Sequence, residues 1–266
     1  MKILVIPDIH LKPWIFDEAD VLLRKGAAEG AVCLMDIADD WNKAFKTELY
    51  AETYDRAIQF AADHPDTRWC YGNHDVCYLW NQRESGFSIT ATYTVCRKMF
   101  QLESALAERS QIAFVHRIGH VLFSHGGLGN YFITEVMGEA GQENLFPEMP
   151  GAADGEWEEL LATEEGFDRM LALLNSKGEG WMWSDESPIW YRPQYDSVDL
   201  YRREGWIQVV GHTPVEQIYD GGGFISTDVF STYQNGEQIG ESAFLVIDTE
   251  TCEWEKQSIA GKGRKK

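Results

Sequence analysis

The sequence is short of basic residues: 23 lysines and arginines stand against 43 aspartates and glutamates, a formal net charge of −20. Nucleic-acid affinity comes largely from basic side chains that neutralise phosphates, so the balance excludes DNA and RNA as partners, and anionic membrane surfaces with them. The only basic cluster, Lys262-Gly263-Arg264-Lys265-Lys266, reads as a frayed tail. Long apolar runs are also missing. No stretch reaches the roughly 18 residues of a membrane span, and Met1-Lys2-Ile3-Leu4-Val5-Ile6 meets Asp8 too soon for a secretory signal. Cysteine is sparse: Cys33, Cys70, Cys77, Cys96 and Cys252 form no Cys-x-x-Cys pair. They read as free thiols in a reducing cytoplasm. There is no internal repeat and no linker rich in proline, serine and glycine. We expect one domain over residues 1–260, with the tail at 261–266. The nearest thing to a break, residues 137–155, carries Gly138, Gly141, Pro147, Pro150, Gly151 and Gly155 and reads as a long surface loop. Acidity does not exclude an anionic substrate, because bound cations invert the field locally.

What is present builds a core. The chain is 44% apolar and 13% aromatic, which excludes a disordered or fibrous protein. The β-branched run at 2–7 predicts a strand covered on both faces. Helical spacing follows at 17–29, a second buried strand at 31–35, a helix at 44–63 stopped by His64-Pro65, and a third strand at 67–71. This β-α-β-α-β order implies parallel strands with helices on their faces. Further strands are predicted at 111–117, 120–124, 207–210, 224–227, 243–247 and 253–259, with a helix at 156–175. The sum is an α/β fold of two packed mixed β-sheets flanked by helices. Residues 87–102 carry no motif and are expected to shape the substrate side.

Polar residues stand directly after the strands. They are Asp8 and His10 after the first, Asp36 and Asp39 after the second, and Gly72-Asn73-His74-Asp75 after the third. Later strands end in His125-Gly126-Gly127 and Gly211-His212-Thr213-Pro214. Sites in open α/β sheets form at the carboxyl ends of strands. Carboxylate, imidazole and amide oxygen suit divalent Mn, Fe or Zn, and the absence of cysteine argues against a structural zinc knot. Asp8, His10, Asp36, Asn73, His125 and His212 are too many for one ion with open positions. They suit two ions about 3.5–4 Å apart, the arrangement that clamps a phosphoryl group in line.

Taken together, Asp8-x-His10, Asp36-x-x-Asp39, Gly72-Asn73-His74-Asp75, His125-Gly126-Gly127 and Gly211-His212 resemble the calcineurin-like metallophosphoesterase superfamily. The His-Gly-Gly and the single late Gly-His-Thr-Pro are similar to its phosphoprotein phosphatase branch, which includes bacterial serine/threonine phosphatases and symmetrical diadenosine tetraphosphatases. The resemblance implies a four-layer αββα sandwich. It implies that Asp8, His10 and Asp36 hold one metal, and that Asp36 bridges to a second completed by Asn73, His125 and His212. It further implies that His74, oriented by Asp39, protonates the leaving oxygen while a metal-bridging hydroxide attacks phosphorus. Manganese is the first expectation for both ions, with iron or zinc as alternatives.

The departures from the family pattern matter. Its usual Gly-Asp-x-x-Asp-Arg-Gly stands here as Met35-Asp36-Ile37-Ala38-Asp39-Asp40-Trp41, so Asp40 replaces a phosphate-gripping arginine. Ser187-Pro188-Ile189-Trp190-Tyr191-Arg192 resembles the segment supplying the other such arginine, which makes Arg192 the candidate clamp. The expected activity is hydrolysis of phosphoserine or phosphothreonine monoesters. Alternatives are a dinucleoside polyphosphate or nucleotide hydrolase, or a non-catalytic metal-binding regulatory protein. His64, His116 and His120 fit no motif and read as structural. Asp75 reads as a cap or outer acceptor, and Asp228 as a neighbour of the site. Asp220-Gly221-Gly222-Gly223 reads as a β-turn, and Cys70 and Cys77 as packing residues. Trp181, Trp183 and Trp190 line either a groove or a core.

Overall fold

The computed structural model describes residues 1–138 and 156–259. Most of the loop expected at 137–155, and the basic tail at 261–266, lie outside the described residues. Strand β1 (Lys2–Ile6) is buried from Ile3 onward, as a continuous apolar run requires. It pairs in parallel with β2 (Gly30–Cys33), then β3 (Arg68–Cys70) and β4 (Ile112–Ala113). On its other side lie antiparallel β10 (Ala243–Asp248) and β11 (Trp254–Ser258). The second sheet runs β5-β6-β7-β9-β8, from β5 (Val115–Ile118), β6 (Val121–Ser124), β7 (Ile207–Val210), β8 (Tyr219–Asp220) and β9 (Phe224–Ser226).

The sheets pack face to face. One buried cluster joins Val5, Val32, Trp69 and Leu245 of the first sheet to Val121, Phe123, Val209 and Ile225 of the second. Helices α1 (Trp14–Arg24) and α2 (Thr47–Asp63) belong to the first sheet's layer, where the Phe16 ring meets Phe60 and Trp69. Helix α3 (Asn73–Trp80) leads directly out of β3, and α4 (Thr92–Ala105) lies along α2. The second sheet is covered by α5 (Glu156–Ala162) and α6 (Glu164–Asn175), followed by the short α7 (Glu179–Met182). Phe167, Met170, Leu171 and Leu174 fall at helical spacing on α6 and pack with Val115 and Leu122. The fold is thus two mixed sheets between helical layers, as the sequence led us to expect. No helix among the described residues is long and apolar enough to cross a membrane.

The structure corrects three expectations. The helix expected over 156–175 is broken at Thr163, whose hydroxyl caps α6 by accepting from Gly166 N at 3.0 Å. None of residues 87–102 lines the cleft over the strand ends, and most of them belong to α4. Val95, Met99 and Leu102, at i, i+4 and i+7, form its buried face together with Lys98. The strand expected over 111–117 is two strands in different sheets, and Phe114 makes the crossing. Asn175 holds that crossing: its Oδ1 accepts from Phe114 N and Val115 N at 3.0 Å each, and its Nδ2 donates to Val115 O at 2.9 Å.

Asn175→Ala would strand two buried amides and a carbonyl. We expect it to lower unfolding free energy by about 2–3 kcal/mol in urea titration, given the cost of unpaired buried polar groups. A loss within about 0.5 kcal/mol, the range of a neutral surface change, would show that the crossing is held by packing alone.

Candidate active site

The loops after β1 and β2 are zipped together beyond the strands. Ile9 N donates to Met35 O at 3.1 Å, His10 N to Asp36 O at 2.8 Å and Leu11 N to Ile37 O at 3.0 Å. This ladder holds left-handed backbone at His10 (φ 42°), Met35 (φ 57°), Asp36 (φ 40°) and Asp39 (φ 60°). Such conformations cost free energy in non-glycine residues and persist where the surroundings enforce them. His212 after β7 is likewise left-handed, at φ 61°. Its amide donates to Asp8 Oδ2 at 2.9 Å. At the start of α3, the His74 amide donates to Asp36 Oδ1 at 2.9 Å. Glycine is required beside each carboxylate. A Cβ on Gly72 would collide with Asp36 Oδ1, and one on Gly211 with Asp8 Oδ1.

Two clusters of ligand atoms result. Asp8, His10 and Asp36 form one and Asp36, His125 and His212 the other, each with its donor atoms within 4.8 Å of one another. Asp36 belongs to both. His125 Nδ1 donates to Leu34 O at 2.9 Å, which directs Nε2 inward. Nε2 then lies 3.1 Å from each of Asn73 Oδ1, His212 Nδ1 and Asp36 Oδ2. His212 Nε2 is buried with no hydrogen-bond partner. Lone pairs aimed at one another repel, and a cation among them removes the repulsion. The residues present therefore fit divalent metals, and their oxygen and imidazole donors suit Mn, Fe or Zn.

The electrostatics carry the same signature. Burial, then the charge of Asp228, pushes the Asp8 carboxyl well above its usual range. Burial opposes ionisation of Asp36, yet His125 and His74 hold its carboxyl well below the usual range. Burial, then His125, pushes His212 far down, so its ring stays neutral as a ligand requires. Burial also works against charge on His125, but Asp36 and Asp8 raise it to about 9. A proton then lies where a cation would.

His74 stands apart from both clusters. Its Nδ1 lies 3.0 Å from Asp39 Oδ2. Burial disfavours the charged ring, but Asp36 and the Asp39 hydrogen bond raise it to about 9. Asp39 Oδ1 accepts two phenols, Tyr50 at 2.8 Å and Tyr78 at 2.5 Å. Sequence reasoning missed both tyrosines. Tyr78 lies four residues after His74 on one face of α3, a spacing that could have found it. Nothing in the sequence singled out Tyr50. Asp75 accepts from Ile37 N and Tyr54 Oη at 3.0 Å each, supporting the Asp36 loop from behind.

A cleft of about 400 Å³ opens over His10, Asp36, Asn73, His74 and His212. Arg192 lines its wall, with Nη1 donating to His212 O at 3.0 Å and Thr213 Oγ1 at 2.9 Å. Asp40 also lines it, but its carboxylate is engaged: Thr232 donates to Oδ1 at 2.9 Å, and Lys12 Nζ lies 3.7 Å from Oδ2. Trp41, Glu84, Trp190, Asp228 and Tyr233 complete the walls. Trp190 meets His212 edge-on at 5.4 Å, Trp183 packs behind Trp190 at 5.4 Å, and Trp181 lies away under Lys177.

The sequence profile of calcineurin-like phosphoesterases matches residues 1–239. The chain belongs to this family. It is therefore a phosphoesterase hydrolase, and the family implies divalent metals in the clusters just described. A cold-active protein-tyrosine phosphatase of a psychrophilic Shewanella species has a similar structure, with a TM-score of 0.51 and 17% identity, covering 96% of this chain and 80% of the other. A metallophosphoesterase from Sphaerobacter thermophilus is also similar, with a TM-score of 0.50 and 13% identity, covering 98% and 89%. At such identities the likeness speaks for the fold. No curated protein matches the sequence.

Other residues of this family member lie outside the cleft. His64 pairs with Asp20 at 2.9 Å, His116 Nε2 bonds Trp69 O at 3.1 Å, and His120 bonds Glu250 O at 2.9 Å. Residues 220–223 make the turn between β8 and β9, closed by Gly221 N donating to Phe224 O at 2.8 Å. Cys70 and Cys77 are buried, and burial pushes their thiols far up.

Metal counting by mass spectrometry tests the sharing of Asp36. Asp36→Asn should reduce bound divalent ions in both clusters, and Gly72→Ala should do the same by displacing the carboxylate. His10→Ala and Gly211→Ala should empty mainly one. Two ions retained with asparagine at position 36 would end the bridging assignment.

Proposed function

We propose that the protein hydrolyses phosphomonoesters, with phosphoserine and phosphothreonine as the first substrate class and manganese as the first metal. The carrying observation is the pair of half-buried His74 and buried Asp39 set beside two ligand clusters that share Asp36. Asp8, His10 and Asp36 would hold one cation, and Asp36, Asn73, His125 and His212 the other. Bound there, divalent cations supply polarisation of the phosphoryl group and activation of water. The chain's own groups do the rest. Asp39 accepts from Nδ1–H of His74, so that the ring, when doubly protonated, turns Nε2–H to the cleft and gives that proton to the departing oxygen. Arg192 grips phosphoryl oxygens, its guanidinium braced by His212 O and Thr213. Asp40 does not compete for the phosphate, because Thr232 and Lys12 occupy its carboxylate. Five unpaired cysteines support a cytoplasmic setting.

A second reading, hydrolysis of dinucleoside polyphosphates or other nucleotides, is favoured by Trp41 and Tyr233. These rings line the cleft while 44% and 53% exposed. They offer planar faces on which a base could stack. A panel of phosphopeptides, dinucleoside polyphosphates and aryl phosphates, run with Mn, separates the two. Turnover restricted to nucleotides would move the assignment to the second reading. No turnover of any member would favour a regulatory metal-binding protein.

His74→Asn should keep both metals yet lose about 10²–10⁴ in turnover of alkyl esters, with a smaller loss for nitrophenyl esters, whose leaving group needs no proton. Arg192→Lys should weaken kcat/KM nearly as much as Arg192→Ala, by about 2–4 kcal/mol, since lysine offers a point charge in place of a fork. Normal kcat/KM in both Arg192 variants would place the phosphate elsewhere.

A further inference from the structure

Two phenols meet on one oxygen of the carboxylate behind His74. Tyr50, from the first turn of α2, and Tyr78, from the last turns of α3, are 0% and 3% exposed. Their hydroxyls lie 2.8 and 2.5 Å from Asp39 Oδ1. The other oxygen, Oδ2, faces His74 Nδ1 at 3.0 Å. The direction of the Tyr78 proton is fixed by a third partner: its hydroxyl oxygen accepts from Ser88 N at 2.8 Å, so its own hydrogen is left for Asp39. The ring is held by a stack on Phe87, with centroids 4.3 Å apart and planes 18° apart. Asp39 itself sits in left-handed backbone and needs such holding.

We propose that Tyr50 and Tyr78 are positioning residues for the leaving-group acid, acting through Asp39 to fix the aim of His74. The proposal rests on the reading of His74 as that acid. A carboxylate with one oxygen pinned by two donors cannot rotate, and it presents a single oxygen to the imidazole. The imidazole is thereby held with Nδ1–H on Asp39 and the donating Nε2 side turned to the cleft. Burial, then the charge of Asp39, holds both phenols far above their usual pKa, so they remain donors. The segment that orders Tyr78 also reaches the cleft. Glu84, Ser85 and Gly86 line the cleft, and Ser88 follows two residues on, after Phe87. Contact of a leaving group with this rim is therefore felt at the acid.

The test uses the Mn-loaded protein with Tyr50→Phe, Tyr78→Phe and the double variant, and with His74→Asn as reference. Phenylalanine keeps the ring and removes only the hydrogen bond. We expect each single variant to lose about 10–100-fold in kcat on an alkyl phosphate, as loss of such outer hydrogen bonds commonly does. The loss on nitrophenyl phosphate should be several-fold smaller, with both metals retained. In the metal-free protein, the His74 Nδ1–H resonance should shift or broaden in both single variants. Equal losses on the two esters, or an unchanged Nδ1–H resonance, would overturn the proposal. If His74→Asn itself shows equal losses, the acid reading falls and this proposal with it. If His74→Asn discriminates between the esters and the tyrosine variants do not, the positioning role alone falls. Should Tyr78→Phe fail to fold, Tyr50→Phe carries the same comparison.

Discussion

Asp8, Asp36, Asp39, Asp75 and Asp228 are each at most 1% exposed, and all gather around one cleft. Buried like charges are costly, and each of these must find donors or a counter-charge. Three are satisfied by neighbours within the chain. Asp75 takes Ile37 N and Tyr54, Asp39 takes two phenols and His74, and Asp228 takes Ser231 N and Oγ. Asp8 and Asp36 receive backbone amides but still face one another and the imidazoles of His10, His125 and His212. Two clusters therefore carry more lone pairs than hydrogens. Divalent cations held there would let an acidic chain take an anionic substrate.

The backbone answers the same demand. Extended strands carry side chains to alternate faces, so turning several of them toward one point needs sharp, unusual turns. The left-handed residues at the ends of β1, β2 and β7 supply those turns, and the hydrogen bonds between the first two loops keep them. Gly72 and Gly211 let backbone lie directly against the carboxylates. The two sheets give the rigid platform, since loop strain of this kind survives only on a framework that does not relax.

Much of this was legible in the residues. The run at 2–7, the polar pairs after each strand and the glycines beside them implied two sheets and one crowded edge. Which residues gather was readable because each sits at a fixed offset from a strand end. The losses have physical causes. The buried face of α4 includes Lys98, paired with Asp55, so a charge interrupts the apolar period of that helix. The crossing at Phe114 depends on Asn175, a side chain from a distant helix. Tyr50 reaches Asp39 from another helix through a hydroxyl that leaves no periodic trace. The fate of Asp40 was hidden too, because its partner Thr232 is remote in sequence.

The place of β1 has a consequence for biosynthesis. Ile3 lies opposite Gly30 on one side and Ile247 on the other. An emerging chain can pair β1 with β2 early, but the second edge of its most apolar strand stays open until residues 243–248 have been made. Open apolar edges invite association with other chains, and long-range pairings form slowly. His212 and Arg192 also arrive late in synthesis. Asp8 and Asp36 thus wait on the nascent chain for their partners.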